Sequence, residues 1–189
     1  MKISGNAIRP GMVIEHKGRL WAAVKTQHTQ PGKGGAYLQV ELRELRDGTK
    51  LNERFRSSED VERVRLDQRD YQYLYREDDI LTFMDTESFE QVTINASLVG
   101  EAIAFLQDGM MVTIESHEGD PVGVMLPDNT VCTVAETEGV IKGQTAAASF
   151  KPAVLDNGVR VSVPPHIAIG DRIVVNTAER TYVERAKDE

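Results

Sequence analysis

A single cysteine, Cys132, rules out an internal disulfide and any metal site built from a cysteine cluster. Its neighbours Val131, Thr133 and Val134 alternate apolar and polar, the pattern of a strand burying a thiol rather than presenting a nucleophile. Long apolar runs are equally missing. Nowhere does the chain approach the ~20 consecutive apolar residues that span a bilayer, and Met1 to Leu20 lacks the continuous apolar core of a secretory signal. A cytoplasmic location with no membrane partner is the expectation. The histidines, His16, His28, His117 and His166, are scattered. There is no H-E-x-x-H, no paired metal spacing, no nucleophile elbow and no phosphate-binding Gly-Lys-Ser/Thr loop, so no catalytic residue, cofactor or metal is assigned.

Positive charge is also in short supply, at a formal net charge of −8, which argues against indiscriminate coating of nucleic acid. The average conceals a division. Residues 1–64 carry 12 Lys/Arg against 8 Asp/Glu, and residues 65–189 carry 10 against 22. A basic end and an acidic body would orient the molecule on a phosphate-rich partner.

What is present is a set of short strand patterns broken by turn residues. Met12 to Glu15, Leu20 to Thr26, Tyr37 to Leu45 and Leu51 to Phe55 predict a small β-barrel, with a helical turn at Ser57 to Asp60 ahead of Val61 and Val64. Between the second and third strands lies Gln30-Pro31-Gly32-Lys33-Gly34-Gly35-Ala36. Pro31 restricts φ, and Gly32, Gly34 and Gly35 permit φ > 0, so a narrow hairpin tip forms from which lysine is the one long side chain projecting. Position alone leaves a solvated loop charge as the ordinary alternative.

Beyond Arg65, Tyr71, Tyr73 and Tyr75 alternate on a predicted strand and share one face, either as half-buried barrel residues or as a base-stacking platform. Ile80 to Met84 and Gln91 to Ile94 continue the sheet. Asn95 is placed to cap a helix running to about Leu106, with Leu98, Val99, Ala102, Ile103 and Leu106 on one side, before strands Met110 to Glu115 and Val122 to Leu126. Five strands with a helix between the third and fourth predict an OB-type barrel. After Pro127-Asp128-Asn129, five more strand candidates (Thr130 to Glu136, Ala153 to Leu155, Val159 to Val163, Ile173 to Asn176, Tyr182 to Glu184) fit a second one. The expected architecture is all-β: an SH3/KOW-like barrel over 1–64 and OB-fold barrels over 65–128 and 129–189.

These segments together resemble bacterial elongation factor P along the whole chain. Lys151-Pro152-Ala153, Gly158 after four further residues, Val161-Ser162-Val163-Pro164, Ile167 and Gly170 are similar to the family's C-terminal signature. Pro31-Gly32-Lys33-Gly34 is similar to its modification loop, in the branch that carries lysine. The resemblance implies a monomeric factor of elongated, tRNA-like outline. It would bind both ribosomal subunits between the peptidyl and exit sites when synthesis stalls at consecutive prolines. It implies that Lys33 points at the peptidyl-transferase centre, where it holds the peptidyl-tRNA acceptor end, and that a lysine-modifying enzyme can add a β-lysyl group to its ε-nitrogen. It also implies ribosome or tRNA contacts for Tyr182, Arg185 and the loop Gly143-Gln144-Thr145, where Gln144 departs from the aspartate of many members. An elongation-factor-P-like paralogue and a general single-strand-binding OB protein are the competing readings.

Overall fold

The computed structural model describes residues 1–139 and 149–187. Six strands, β1 (Lys2–Ser4), β2 (Val13–His16), β3 (Arg19–Thr29), β4 (Tyr37–Glu44), β5 (Lys50–Arg56) and β6 (Asp60–Val64), form a sheet ordered β1-β6-β2-β3-β4-β5. Alternation along β4 is clean. Leu38, Val40 and Leu42 point inward and join Ile8, Ile14, Trp21, Ala23, Phe55 and Val61 in one core, each such side chain contributing roughly 1.5–3 kcal/mol of burial. The indole Nε1 of Trp21 donates to the His16 carbonyl at 2.9 Å, satisfying its one polar atom. At Gly5 the sheet closes so tightly that a Cβ would stand 2.5 Å from the Arg56 carbonyl oxygen, so only glycine fits. The helical turn expected at Ser57 to Asp60 is instead a turn leading into β6, because Asp60 to Val64 pairs with both β1 and β2.

The second sheet contains β7 (Asp67–Glu77), β8 (Ile80–Asp85), β9 (Gln91–Asn95), β10 (Met111–His117) and β11 (Asp120–Met125), ordered β11-β10-β7-β8-β9. Two expectations fail here. The tyrosine row does not share a face: Tyr71 pairs with Asp85 and Tyr73 with Phe83, but a bulge before Tyr75 sets it opposite Thr82, one position out of phase. Tyr73 is therefore buried against Phe83 (ring centroids 5.5 Å apart), while Tyr75 is exposed. Burial, and secondarily the Asp108 charge, pushes the Tyr73 phenol above its usual value. The long helix after Asn95 is also absent. Asn95 does cap, its Oδ1 accepting from Ser97 N at 2.9 Å, but the segment is two short 3₁₀ pieces, Ala96–Leu98 and Gly100–Phe105. Gly100 adopts φ +69 at the junction and interrupts the helical ladder.

The third sheet holds β12 (Asn129–Thr137), β13 (Lys151–Leu155), β14 (Arg160–Val163), β15 (Arg172–Asn176) and β16 (Thr181–Arg185), ordered β14-β13-β12-β15-β16, with β14 and β16 meeting. Cys132, Val134, Ala153, Leu155, Val161, Val163, Ile167, Ile173 and Val175 fill its core, which Phe105 also enters at 0% exposure. Burial raises the Cys132 thiol above its ordinary value, consistent with a packing role.

By density of contact the chain parts into two compact units, Met1–Arg69 with Ile114–Val124, and Asp70–Thr113 with Met125–Glu189. Within the first, Arg46 pairs with Asp120 and the Gln68 amide donates to Glu115 at 3.3 Å. Within the second, Thr113 donates to Asp70 at 3.2 Å and Gln107 to the Val131 carbonyl at 2.9 Å.

Candidate functional site

The hairpin of β3 and β4 pairs from Trp21 opposite Glu44 out to Thr29 opposite Tyr37, which leaves residues 30–36 as the connecting tip. Its inner half is anchored by Trp21, Ala23, Leu38, Val40 and Leu42, whereas the outer half of β3, from Val24 on, is largely polar and exposed. A register shift at Val24 adds one unpaired residue, which bends and twists the hairpin as it leaves the core. Strand β5 accompanies β4 to its outer end, Arg56 lying opposite Tyr37, so the tip stands on three hydrogen-bonded strands rather than on a free two-stranded ribbon.

The tip itself is simple. All peptide bonds are trans, and among its glycines Gly34 alone takes a positive φ, +113. Gly32 and Gly35, which the sequence permitted to do the same, do not. Lys33 is exposed, and among the described residues its ammonium has no hydrogen-bond acceptor and no carboxylate partner. Among the described residues no histidine or carboxylate is bonded to the amine as a base. The arrangement presents one exposed positive charge at the end of the hairpin.

Two acids near the hairpin stand beside cations. Glu41 lies opposite Lys25, and Glu53 receives Lys17 Nζ at 3.0 Å with His16 Nε2 at 3.6 Å. The hydrogen bond from Lys17, assisted by the Lys17 and His16 charges, holds the Glu53 carboxyl below its ordinary value against a smaller opposing effect of burial. Arg54 lies over the Tyr37 ring at 4.9 Å from its centroid, a cation–π contact that fixes the guanidinium at the root of the tip. Among the described residues no group of three or more His, Cys, Asp or Glu is arranged to hold a metal ion.

At the other end of the chain, Tyr182 and Arg185 both lie on β16. A bulge between Val174 and Val175 of the partner strand's register sets Tyr182 opposite Val175 and Arg185 opposite Ile173, so the two residues fall on the same face although three positions apart. Arg185 is tied to Asp171 at 3.3 Å. Tyr182 packs on the core and meets the exposed Phe150 edge-to-face. Gly143, Gln144 and Thr145 lie outside the described residues.

The motif from Lys151 to Gly170 proves to be architecture. Ala153, Val161, Val163 and Ile167 are buried, Gly158 and Gly170 take φ +83 and +89 in turns, and Lys151 is buried with Nζ donating to the Glu138 carbonyl at 2.6 Å. Its spacing is specific because nearly every named position is a packing or turn constraint.

Three family models cover this same chain: the elongation factor P KOW-like domain over residues 4–61, the elongation factor P OB domain over 66–124, and the elongation factor P C-terminal domain over 131–185. Elongation factor P of Parvibaculum lavamentivorans is 64% identical over 186 residues, covering 98% of this chain and 100% of the relative. The chain belongs to the elongation factor P family. Elongation factor P 1 of Mesorhizobium japonicum is 61% identical, covering 98% of each chain, and the Brucella abortus elongation factor P is 59% identical over 98% of this chain and 100% of its own. Among solved structures, eukaryotic translation initiation factor 5A from Methanococcus jannaschii superposes with a TM-score of 0.55 at 22% identity, covering 67% of this chain and 92% of that one. That likeness bears on the fold alone. The protein is thus a translation factor of the elongation factor P family, all-β with KOW-like and OB domains, and its relatives are named as factors rather than enzymes.

Proposed function

We propose that this factor binds the stalled ribosome between the peptidyl and exit sites, and that it promotes peptide-bond formation at consecutive prolines by steadying the peptidyl-tRNA acceptor end. The observation that carries the reading is the exposed Lys33, without a partner among the described residues, at the apex of a hairpin braced by three strands. Proline is a constrained, secondary-amine nucleophile, so a stall there reflects reactants held out of line. A positive arm set against a tRNA end would restore alignment, and the chemistry would remain the ribosome's own.

In this reading the chain works as a cytoplasmic monomer of three parts, 1–64, 65–128 and 129–189. It engages both subunits and the peptidyl-tRNA, with Tyr182, Arg185 and Gly143-Gln144-Thr145 contacting RNA. A modifying enzyme would lengthen Lys33 with a β-lysyl group. Pro31, Gly32, Gly34 and Gly35 keep the tip slim enough for that enzyme and for the ribosomal centre to receive it.

The test is a reconstituted translation system programmed with a polyproline message, using factor whose Lys33 status is known from intact mass. Rescue by the modified wild type and its loss in Lys33→Ala are expected. Absence of rescue by modified wild type would reject the proposal.

A further inference from the structure

The second unit contains a cleft that the proposed role of Lys33 does not use. Phe150, just ahead of β13, is 58% exposed, an unusual placement for a phenylalanine, and its ring centroid lies 6.4 Å from that of Tyr182 at an interplanar angle of 87°. Tyr182 is held by the core beneath it and meets Phe150 edge-to-face, and the exposure of Phe150 leaves ring surface open to a ligand. Around this pair, β14 contributes Arg160 and Ser162, β16 contributes Thr181 and the turn before it Arg180, to a cleft of about 380 Å³.

Charge distinguishes the cleft. Among the described residues its lining includes two arginines and no carboxylate, in a chain of net charge −8. Two other cavities carry several acids each beside their cations, one with Glu15, Glu44 and Asp47 next to Arg19 and Arg46, the other with Glu15, Glu59, Asp60 and Glu62 next to Lys2. Arg180 is anchored, donating to the Glu101 carbonyl at 3.0 Å, lying 5.9 Å from the Phe105 centroid and 3.9 Å from the Glu101 carboxylate, which offsets part of its charge and leaves Arg160 as the cation open to a ligand. Arg160 is exposed, and among the described residues it has no hydrogen-bond or ion-pair partner. An open aromatic face, a free guanidinium and two hydroxyls are the groups that a base, a phosphate and a ribose require. The volume is at the low end of the ~300–1,000 Å³ that small ligands occupy, room for one nucleotide and not for a duplex.

We infer that this cleft takes an unpaired nucleotide of single-stranded RNA, its base stacked on Phe150 and its phosphate on Arg160. The choice of RNA rests on the translational reading above; the stacking geometry stands without it.

The experiment titrates the full chain with a fluorescent single-stranded adenosine–uridine hexanucleotide at low salt, by anisotropy and by NMR of the aromatic rings. Saturable binding that shifts the Phe150 and Tyr182 ring resonances is expected. Phe150→Ala, at an exposed position, should keep the native melting curve and weaken binding by about 5- to 150-fold, the usual range for loss of one stacked base. Arg160→Gln should reduce the salt dependence of log K by about 0.7, the share of one single-strand phosphate. Three results would overturn the inference: no binding at millimolar RNA, binding lost in an Arg54→Gln control but kept in Phe150→Ala, or ring shifts produced by RNA-free basic ribosomal protein and not by the oligonucleotide. No ribosome is used, so failure of polyproline rescue and failure of this cleft are separate results.

Discussion

Replacing Gly34 by alanine tests whether the shape of the tip, and not merely its lysine, matters. Gly34 sits at φ +113, where L-residues are rarely found. The space is open, an added Cβ meeting nothing nearer than Pro31 Cγ at 4.0 Å, so the penalty is backbone strain alone. Such conformations cost about 1–3 kcal/mol for a residue with a Cβ. The tip is exposed and outside the core, so the strain is relieved by abandoning the local conformation and not by unfolding the barrel. At about 1.4 kcal/mol per decade, the native tip should become roughly 5- to 150-fold less favoured against its alternatives. Gly32→Ala and Gly35→Ala add the same methyl at positions with neither positive φ nor a neighbour within 4 Å, and serve as matched controls. Each variant would be compared with wild type by polyproline translation at equal Lys33 modification, verified by intact mass, and by thermal melting. Gly34→Ala should lose rescue while melting within about 2 °C of wild type, the shift expected for well under 1 kcal/mol of global change. Rescue by Gly34→Ala equal to that of Gly32→Ala would refute the reasoning and reduce the tip to a flexible tether.

Other expectations follow from the packing and the charges. Phe105→Ala should cost about 3–5 kcal/mol and lower the circular-dichroism midpoint of the second unit, while fluorescence of the sole tryptophan, Trp21 in the first unit, reports an unchanged transition; a common shift of both probes would contradict it. Cys132 should resist a thiol reagent in the native protein and react with one equivalent once unfolded, native labelling at the unfolded rate being the contrary result. Because the folded-state value of Glu53 is depressed, its contribution is full above the ordinary carboxylate value of 4.5 and disappears as pH falls through the folded value. Lys17→Met should therefore be less stable than wild type near neutrality and converge with it in acid, and a pH-independent gap would count against the pair.

Legibility in the sequence tracked the range of the interactions. Tyr37 to Leu45 announced β4 because alternation is set by the pleat, and the tip between β3 and β4 was visible as proline and glycines around one lysine. The failures share a cause. The phase of Tyr71, Tyr73 and Tyr75 depends on a bulge imposed by β8, and Asp60 to Val64 became a strand because β1 and β2 offered an unfilled edge. The Asn95 segment had helical spacing, yet Gly100 turned left-handed there and Phe105, absent from the expected apolar face, entered the core shared with β12 to β16.

By itself, then, the sequence determined the family, the all-β class and the identity of the exposed cation at Lys33, since these depend on residue type and on spacing between near neighbours. The tertiary structure alone decided which glycine of the tip is strained, that Lys33 stands on three strands, and that Phe150, Arg160, Arg180 and Tyr182 line one cleft. Those residues come from a strand entry, an edge strand, a turn and a closing strand. Only the closure of β14 against β16 brings them within reach of one another.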